Sequence, residues 1–143
     1  MPTSVTGQTA LAAGFGCGHG CPWQQLRELL LRSLAENGLQ LDQLQAIASV
    51  EYKRKEAGLH RLAEALGVGL YFFDAPHLSG YTAQLTHVSA LAQAITGSAG
   101  VAESSALALA EQLGSAPAQL IVPRRAIARA TVAIARVTVK LPR

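Results

Sequence analysis

Apolar positions along the chain fall into two kinds of run that alternate. "TALAAGF" (Thr9 to Phe15) is short, continuous and closed by glycine, the pattern of a strand buried on both faces. Trp23, Leu26, Leu30 and Leu34 then recur at helical spacing, behind a Pro22 suited to a first turn and ahead of a Gly38 stop. "LQAIASV" (Leu44 to Val50) reads as a second strand. Leu59, Leu62, Ala63 and Leu66 mark a second amphipathic helix closed by Gly67, and "GLYFF" (Gly69 to Phe73) a third strand. Strands and helices alternating with short connections predict a parallel sheet covered by helices.

The pattern changes in the second half. Val88, Leu91, Ala92 and Ile95 outline a short helix ending near Gly97. Ala102, Ala106, Leu109 and Leu113 outline another, whose small residues suit close packing on a sheet. Two further apolar runs follow, "AQLIV" (Ala118 to Val122) and "ARATVAIARVTV" (Ala128 to Val139), with "PRRAIA" between them. So short a connection has no room for a crossover helix, so the two strands are expected to be antiparallel. The fold expected is α/β: a three-layer sandwich whose mixed, mainly parallel five-stranded sheet ends in an antiparallel pair. It is read as a single domain over 1–143, with residues 1–8 as a loose N-terminal extension.

Composition narrows the partners. Half of the 143 residues are hydrophobic but only 5% are aromatic, so the core is aliphatic and alanine-rich. The net charge of +3 is mild and its cations come in short groups, Lys53 to Lys55 and Arg124 with Arg125, without the long basic stripe of a nucleic-acid face. No run approaches the roughly 20 apolar residues of a membrane helix. No secretory leader is visible, and the chain is expected to be cytoplasmic. An acidic small molecule is the partner class these features favour.

In an open α/β sheet ligands bind beyond the carboxyl ends of the parallel strands. "GCGHGC", "EYKRKE" and "DAPHL" follow the first three strands and are expected to meet there, joined by the start of the helix "VAESSALALAEQL". The first of these admits three readings. As a dinucleotide loop it fails: the pattern G-x-G-x-x-G needs a glycine at His19 in one frame and at Cys21 in the other. As a metal or redox site it offers Cys17, His19 and Cys21 but no fourth ligand nearby, although a thiol near a helix start can be acidified. As an anion cradle it fits better. Gly16, Gly18 and Gly20 let the backbone approach a ligand with peptide N–H groups turned toward it, and Lys53 and Arg54 supply charge from the adjacent loop.

"GFGCGHG", "ASVEYKRKEAGLHRLAEALGVGLYFFDAPHL", "GSAGVAESSALALA" and "QLIVPRRAIARATVAIARV" together resemble the CobE/CbiG C-terminal domain family of cobalamin biosynthesis, over Ala10 to Val137. The likeness rests on a glycine-rich turn with Cys17 after the first strand and on Lys53, Glu56, Gly58 and Leu59 after the second. Gly100 to Glu103 follow, and then a strand, a basic turn and "TVAIAR". His19 stands where the family often carries a basic residue, and Cys21 is particular to this chain.

The resemblance implies a cobalamin biosynthesis protein, most like the free-standing form associated with the aerobic pathway, that binds or carries an acidic corrin precursor. In the form joined to a further N-terminal domain, the activity is opening of the ring-A lactone of cobalt-precorrin-5A with release of acetaldehyde. Hydrolysis is therefore the alternative, with Glu56 or Glu103 as general base and Lys53 as electrostatic stabiliser. For binding, the expected ligand residues are Gly16, Cys17, Gly18, His19, Gly20, Lys53, Glu56, Glu103 and Arg124, with Phe15 or Leu59 under the apolar macrocycle. Neither a metal nor a cofactor is called for, and other enzymes of the pathway are candidate partners.

Overall fold

The computed structural model describes residues 10–81, 100–114 and 117–138. Its elements are β1 (Ala10–Cys17), α1 (Trp23–Glu36), β2 (Leu44–Val50), α2 (Ala57–Leu66), β3 (Gly69–Phe73), α3 (Ala75–Ser79), α4 (Val101–Leu113), β4 (Gln119–Ile127) and β5 (Ala130–Val137). Short 3-10 turns at Leu41–Gln43 and Glu51–Lys53 flank β2. The five strands form one sheet in the order β3-β2-β1-β5-β4. β1, β2 and β3 pair in parallel, and β5 runs antiparallel between β1 and β4.

Alternation along the strands sorts the core by size. Leu11, Ala13 and Phe15 of β1, Ile47 of β2 and Val132 and Ile134 of β5 face α1 and α2, meeting Leu26, Leu30, Leu59 and Leu62. The opposite positions, Ala12, Ala46, Ala48, Ala133 and Ala135, are almost all alanine and face α3 and α4. Large side chains on one side give an ordinary aliphatic core. The small ones on the other let a helix come down onto the strands, and α4 is itself small: Val101 through Ala110 are all buried.

Gly14 is the point of closest approach. A Cβ there would stand 2.1 Å from the Ala102 carbonyl oxygen and 2.5 Å from the Ala106 nitrogen. This fit fixes where α4 begins, and so where its unpaired N–H groups point.

Helix ends follow local chemistry. Gly67 closes α2 in the left-handed conformation at φ 70°, which costs glycine little. Asp74 caps α3, its Oδ1 accepting the His77 N–H at 2.9 Å. No helix among the described residues is long and apolar enough to cross a membrane.

The mixed sheet and both helical layers agree with the expectation, and three boundaries differ. β1 runs on to Cys17, so Gly16 and Cys17, the first two residues of the glycine turn, are strand. "DAPHL", given no element by the apolar pattern, holds the short helix α3. "PRRAIA" is mostly strand: β4 continues to Ile127 and turns through Ala128 and Arg129. Proline is tolerated there because β4 is an edge strand and Pro123 falls in an irregular stretch of the ladder. The helix expected around Val88 to Ile95 and the extension at 1–8 lie outside the described residues.

Candidate functional site

β1 and β2 end at the same edge of the sheet, and there the β4–β5 hairpin turns back beside them, Cys17 pairing with Ala130. An open cleft of about 600 Å³ occupies this edge, within the roughly 300–1,000 Å³ usual for small-molecule sites. Its floor is Gly16 and Cys17 of β1 and Gly18 just after it, with Gly100 and Val101 at the start of α4. One wall is Val50 at the end of β2 with Tyr52 and Lys53 after it. The other is Arg124 and the hairpin from Ile127 to Thr131. Lys53, Arg124 and Arg129 thus border one space, beside a helix start that adds partial positive charge.

The glycine turn is held by three neighbours. The Gly18 N–H donates to the Arg129 carbonyl at 2.9 Å, and Arg129 Nη2 donates to the His19 carbonyl at 2.8 Å. The Gly20 N–H donates to Glu56 Oε2 at 2.6 Å, and His19 Nδ1 lies 3.4 Å from Glu56 Oε1. Gly58 seats the start of α2 against the same turn, since a Cβ there would meet the Cys21 carbonyl at 2.4 Å. The turn does therefore bind a carboxylate, but that carboxylate is the protein's own.

This changes the expected division of labour. Gly16, Cys17, Gly18, Lys53 and Arg124 come together on the cleft. His19, Gly20, Glu56 and Glu103 are not among its lining residues, and the Gly18 and Gly20 N–H groups are engaged within the protein. Phe15 and Leu59, expected under the macrocycle, are fully buried in the core. "DAPHL" does not reach the cleft either, because β3 is the outer strand and the cleft lies toward the β1–β5 junction.

Glu103 is fully buried and works on the wall from behind. Between Val122 and Arg125, β4 has one residue more than its partner β5. In this bulge Pro123 has no N–H, and that of Arg124 donates to Glu103 Oε2 at 2.8 Å. Bulges redirect side chains near functional sites. Here the first turn of α4 pins the bulge that brings Arg124 to the cleft.

Sequence reasoning missed Tyr52, Ile127 and Arg129. Arg129 carried a signal, a cation in a basic turn, but "PRRAIA" read as the loop placed the turn too early. Tyr52, alone in a polar stretch, carried none, and Ile127 carried none because it falls within the segment read as a loop.

Electrostatics separate the thiols from the acids. Burial pushes the Cys17 thiol up to about 11 despite the opposing charge of Lys53, and burial raises Cys21 also. Both are free cysteines, and at neutral pH they stay protonated, unlike the acidified thiols of redox sites. Burial works to raise the Glu56 pKa too. The Gly20 N–H, His19 and Lys53 outweigh it and hold the carboxyl below its ordinary 4.5.

A lowered folded-state pKa gives stability that is present above the unfolded value and lost as the pH falls through the folded one. Glu56→Gln is expected to flatten the loss of stability below pH 4.5, measured by urea melts across the acid range. At neutral pH it is expected to cost only ~1 kcal/mol, because the exposed Gly20 N–H can turn to water. An unchanged acid limb would contradict this assignment.

Comparison with known proteins places the chain. Residues 11–135 match the family described as "Cobalamin synthesis G C-terminus". A Sinorhizobium protein, "Protein CobE", is 33% identical over 125 residues, covering 87% of this chain and 79% of that protein. The crystal structure of CobE, a protein from the cobalamin (vitamin B12) biosynthetic pathway, superposes with a TM-score of 0.84 at 42% identity, covering 93% of this chain and 94% of the other. Cobalamin biosynthesis protein chiG from Agrobacterium tumefaciens gives a TM-score of 0.64 at 25% identity over 88% and 97% of the two chains. A cobalamin biosynthesis protein G homolog from Sulfolobus solfataricus, 21% identical, shares the fold at a TM-score of 0.68, over 90% of this chain and 37% of that one.

Proposed function

The chain belongs to the cobalamin synthesis G C-terminal family, and from that premise we propose that its basic cleft binds an acidic corrin precursor, holding or carrying it in the aerobic pathway. A corrin precursor is an apolar macrocycle ringed by acetate and propionate arms. The observation that carries the reading is the meeting of Lys53, Arg124 and Arg129 around one open cleft at the sheet edge.

The side chains, rather than the glycine turn, are the primary anion donors. Gly18 and Gly20 give their N–H groups to Arg129 and Glu56, so the turn serves to shape the floor. Ligand carboxylates fall to the three cations and to the start of α4. Charge-assisted hydrogen bonds contribute roughly 1.5–3 kcal/mol each, so several together support about micromolar affinity after the cost of association. Glu56 and Glu103 each accept a backbone N–H, which favours the binding reading over the hydrolytic one.

The test is an absorbance titration of the purified protein with corrinoids that carry free carboxylates. A saturable shift of the visible bands that weakens as salt is added is expected. No spectral change with any carboxylated corrinoid overturns the reading, and acetaldehyde released from cobalt-precorrin-5A by this protein alone replaces it with the hydrolytic one.

A further inference from the structure

Two large apolar side chains line the cleft from its β2 side and its hairpin side with no part in the core. Tyr52 is 60% exposed on the β2 side, and Ile127 is 36% exposed at the end of β4 on the hairpin side. Both stand on hydrogen-bonded backbone. Tyr52 sits within the 3-10 turn Glu51–Lys53, which is braced by Arg54: its Nε and Nη2 donate to the two Glu51 carboxylate oxygens at 2.5 and 2.7 Å. Ile127 pairs with Ala130 at the last rung of the hairpin.

Tyr52 is the most exposed large apolar side chain among the described residues, and covering it and Ile127 with an apolar surface would be favourable. A small acid such as a phosphate or a dicarboxylate would satisfy the cations and leave both uncovered. The arrangement instead repeats, on each wall, an apolar group beside a cation: Tyr52 next to Lys53, whose Nζ lies 5.8 Å from the tyrosine ring centroid, and Ile127 close to Arg129.

We infer that Tyr52 and Ile127 are the specificity-determining residues of the cleft, gripping the flat face of a macrocycle whose carboxylate arms go to the neighbouring cations. The inference rests on the corrin-binding reading and adds to it how the protein tells a macrocyclic polyacid from an open-chain one. Tyr52 supplies a broad planar surface fixed by only two side-chain torsions, so little freedom is lost when a ring settles on it. Ile127 closes the opposite side. The cations then set the register, since arms of fixed spacing must reach Lys53 on one wall and Arg124 or Arg129 on the other.

The test compares Tyr52→Ala and Tyr52→Phe with the parent protein, titrating cobyrinic acid, a corrin with free carboxylates, at low and high salt. Tyr52→Ala is expected to weaken binding about tenfold, or about 1.4 kcal/mol, by the same factor at both salt concentrations. Tyr52→Phe is expected to stay within about twofold of the parent, since the ring and not the hydroxyl makes the contact. Because the side chain is exposed, melting temperatures should not move. Affinity unchanged in Tyr52→Ala while the parent binds overturns this inference and leaves the corrin reading standing. A loss that disappears at high salt also overturns it, for then Tyr52 acts only by placing Lys53. Failure of the parent itself to bind removes the corrin reading and this inference with it.

Discussion

Gly14→Ala is expected to destabilise the protein by at least about 3 kcal/mol, at the upper end of the usual cost of overpacking, and to lower its melting temperature by roughly 10 °C. The new Cβ would lie 2.1 Å from the Ala102 oxygen and 2.5 Å from the Ala106 nitrogen. Both are backbone atoms of α4, so no change of rotamer relieves the clash and the helix itself must shift. Packing against the alanine face of the sheet is then lost along its length, together with the position of Gly100 and Val101 on the cleft floor. Gly18→Ala is the matched control, since its nearest neighbour would be 3.9 Å away and its φ is not positive. Melts of the two variants beside the parent decide the matter. A Gly14→Ala protein melting within about 2 °C of the parent would mean that α4 is not seated as described.

Removing Lys53 and Arg124 together is expected to weaken corrinoid binding at least 100-fold, with little change in folding. Each takes away a charge-assisted contact of roughly 1.5–3 kcal/mol, and neighbouring charges are not fully additive, so about 3 kcal/mol for the pair is a conservative sum. Alanine at 124 keeps the backbone N–H that Glu103 accepts, so the bulge in β4 survives and the readout is electrostatic. The salt dependence of what binding remains should be shallower than that of the parent. Affinity within threefold of the parent would place the carboxylates elsewhere.

Most of the architecture was legible in the sequence because it depends on periodicity. Strand runs such as Leu44 to Val50, and helical repeats such as Leu26, Leu30 and Leu34, report burial directly. What was misread depends on exceptions. Pro123 and two arginines look like a loop by composition, yet an edge strand needs fewer N–H donors and can turn arginines to solvent. At the site, Arg124 was expected only on the family resemblance, whereas the grouping of the Cys17 turn with Lys53 was foreseeable from the positions of strand ends. The use of the Gly20 N–H by Glu56, and of the Arg124 N–H by Glu103, was not. Both are pairings between distant segments that leave no local mark. The apolar surface of the cleft was expected at Phe15 or Leu59, taken as loop residues beside the ligand. In the fold their alternation sends them inward, and Tyr52 and Ile127 are left outside.

The interior place of β5, between β1 and β4, carries a further consequence. Ala10 of β1 pairs with Val137, and Cys17 with Ala130, so β1 lacks a neighbour on that side until β5 slots in beside it. A chain interrupted in synthesis before Ala130 would expose an apolar strand edge, the usual starting point for aggregation. Such long-range pairing also slows folding. The hairpin that fills that side of β1 also forms a wall of the cleft, so the cleft takes shape only once β5 has paired with β1.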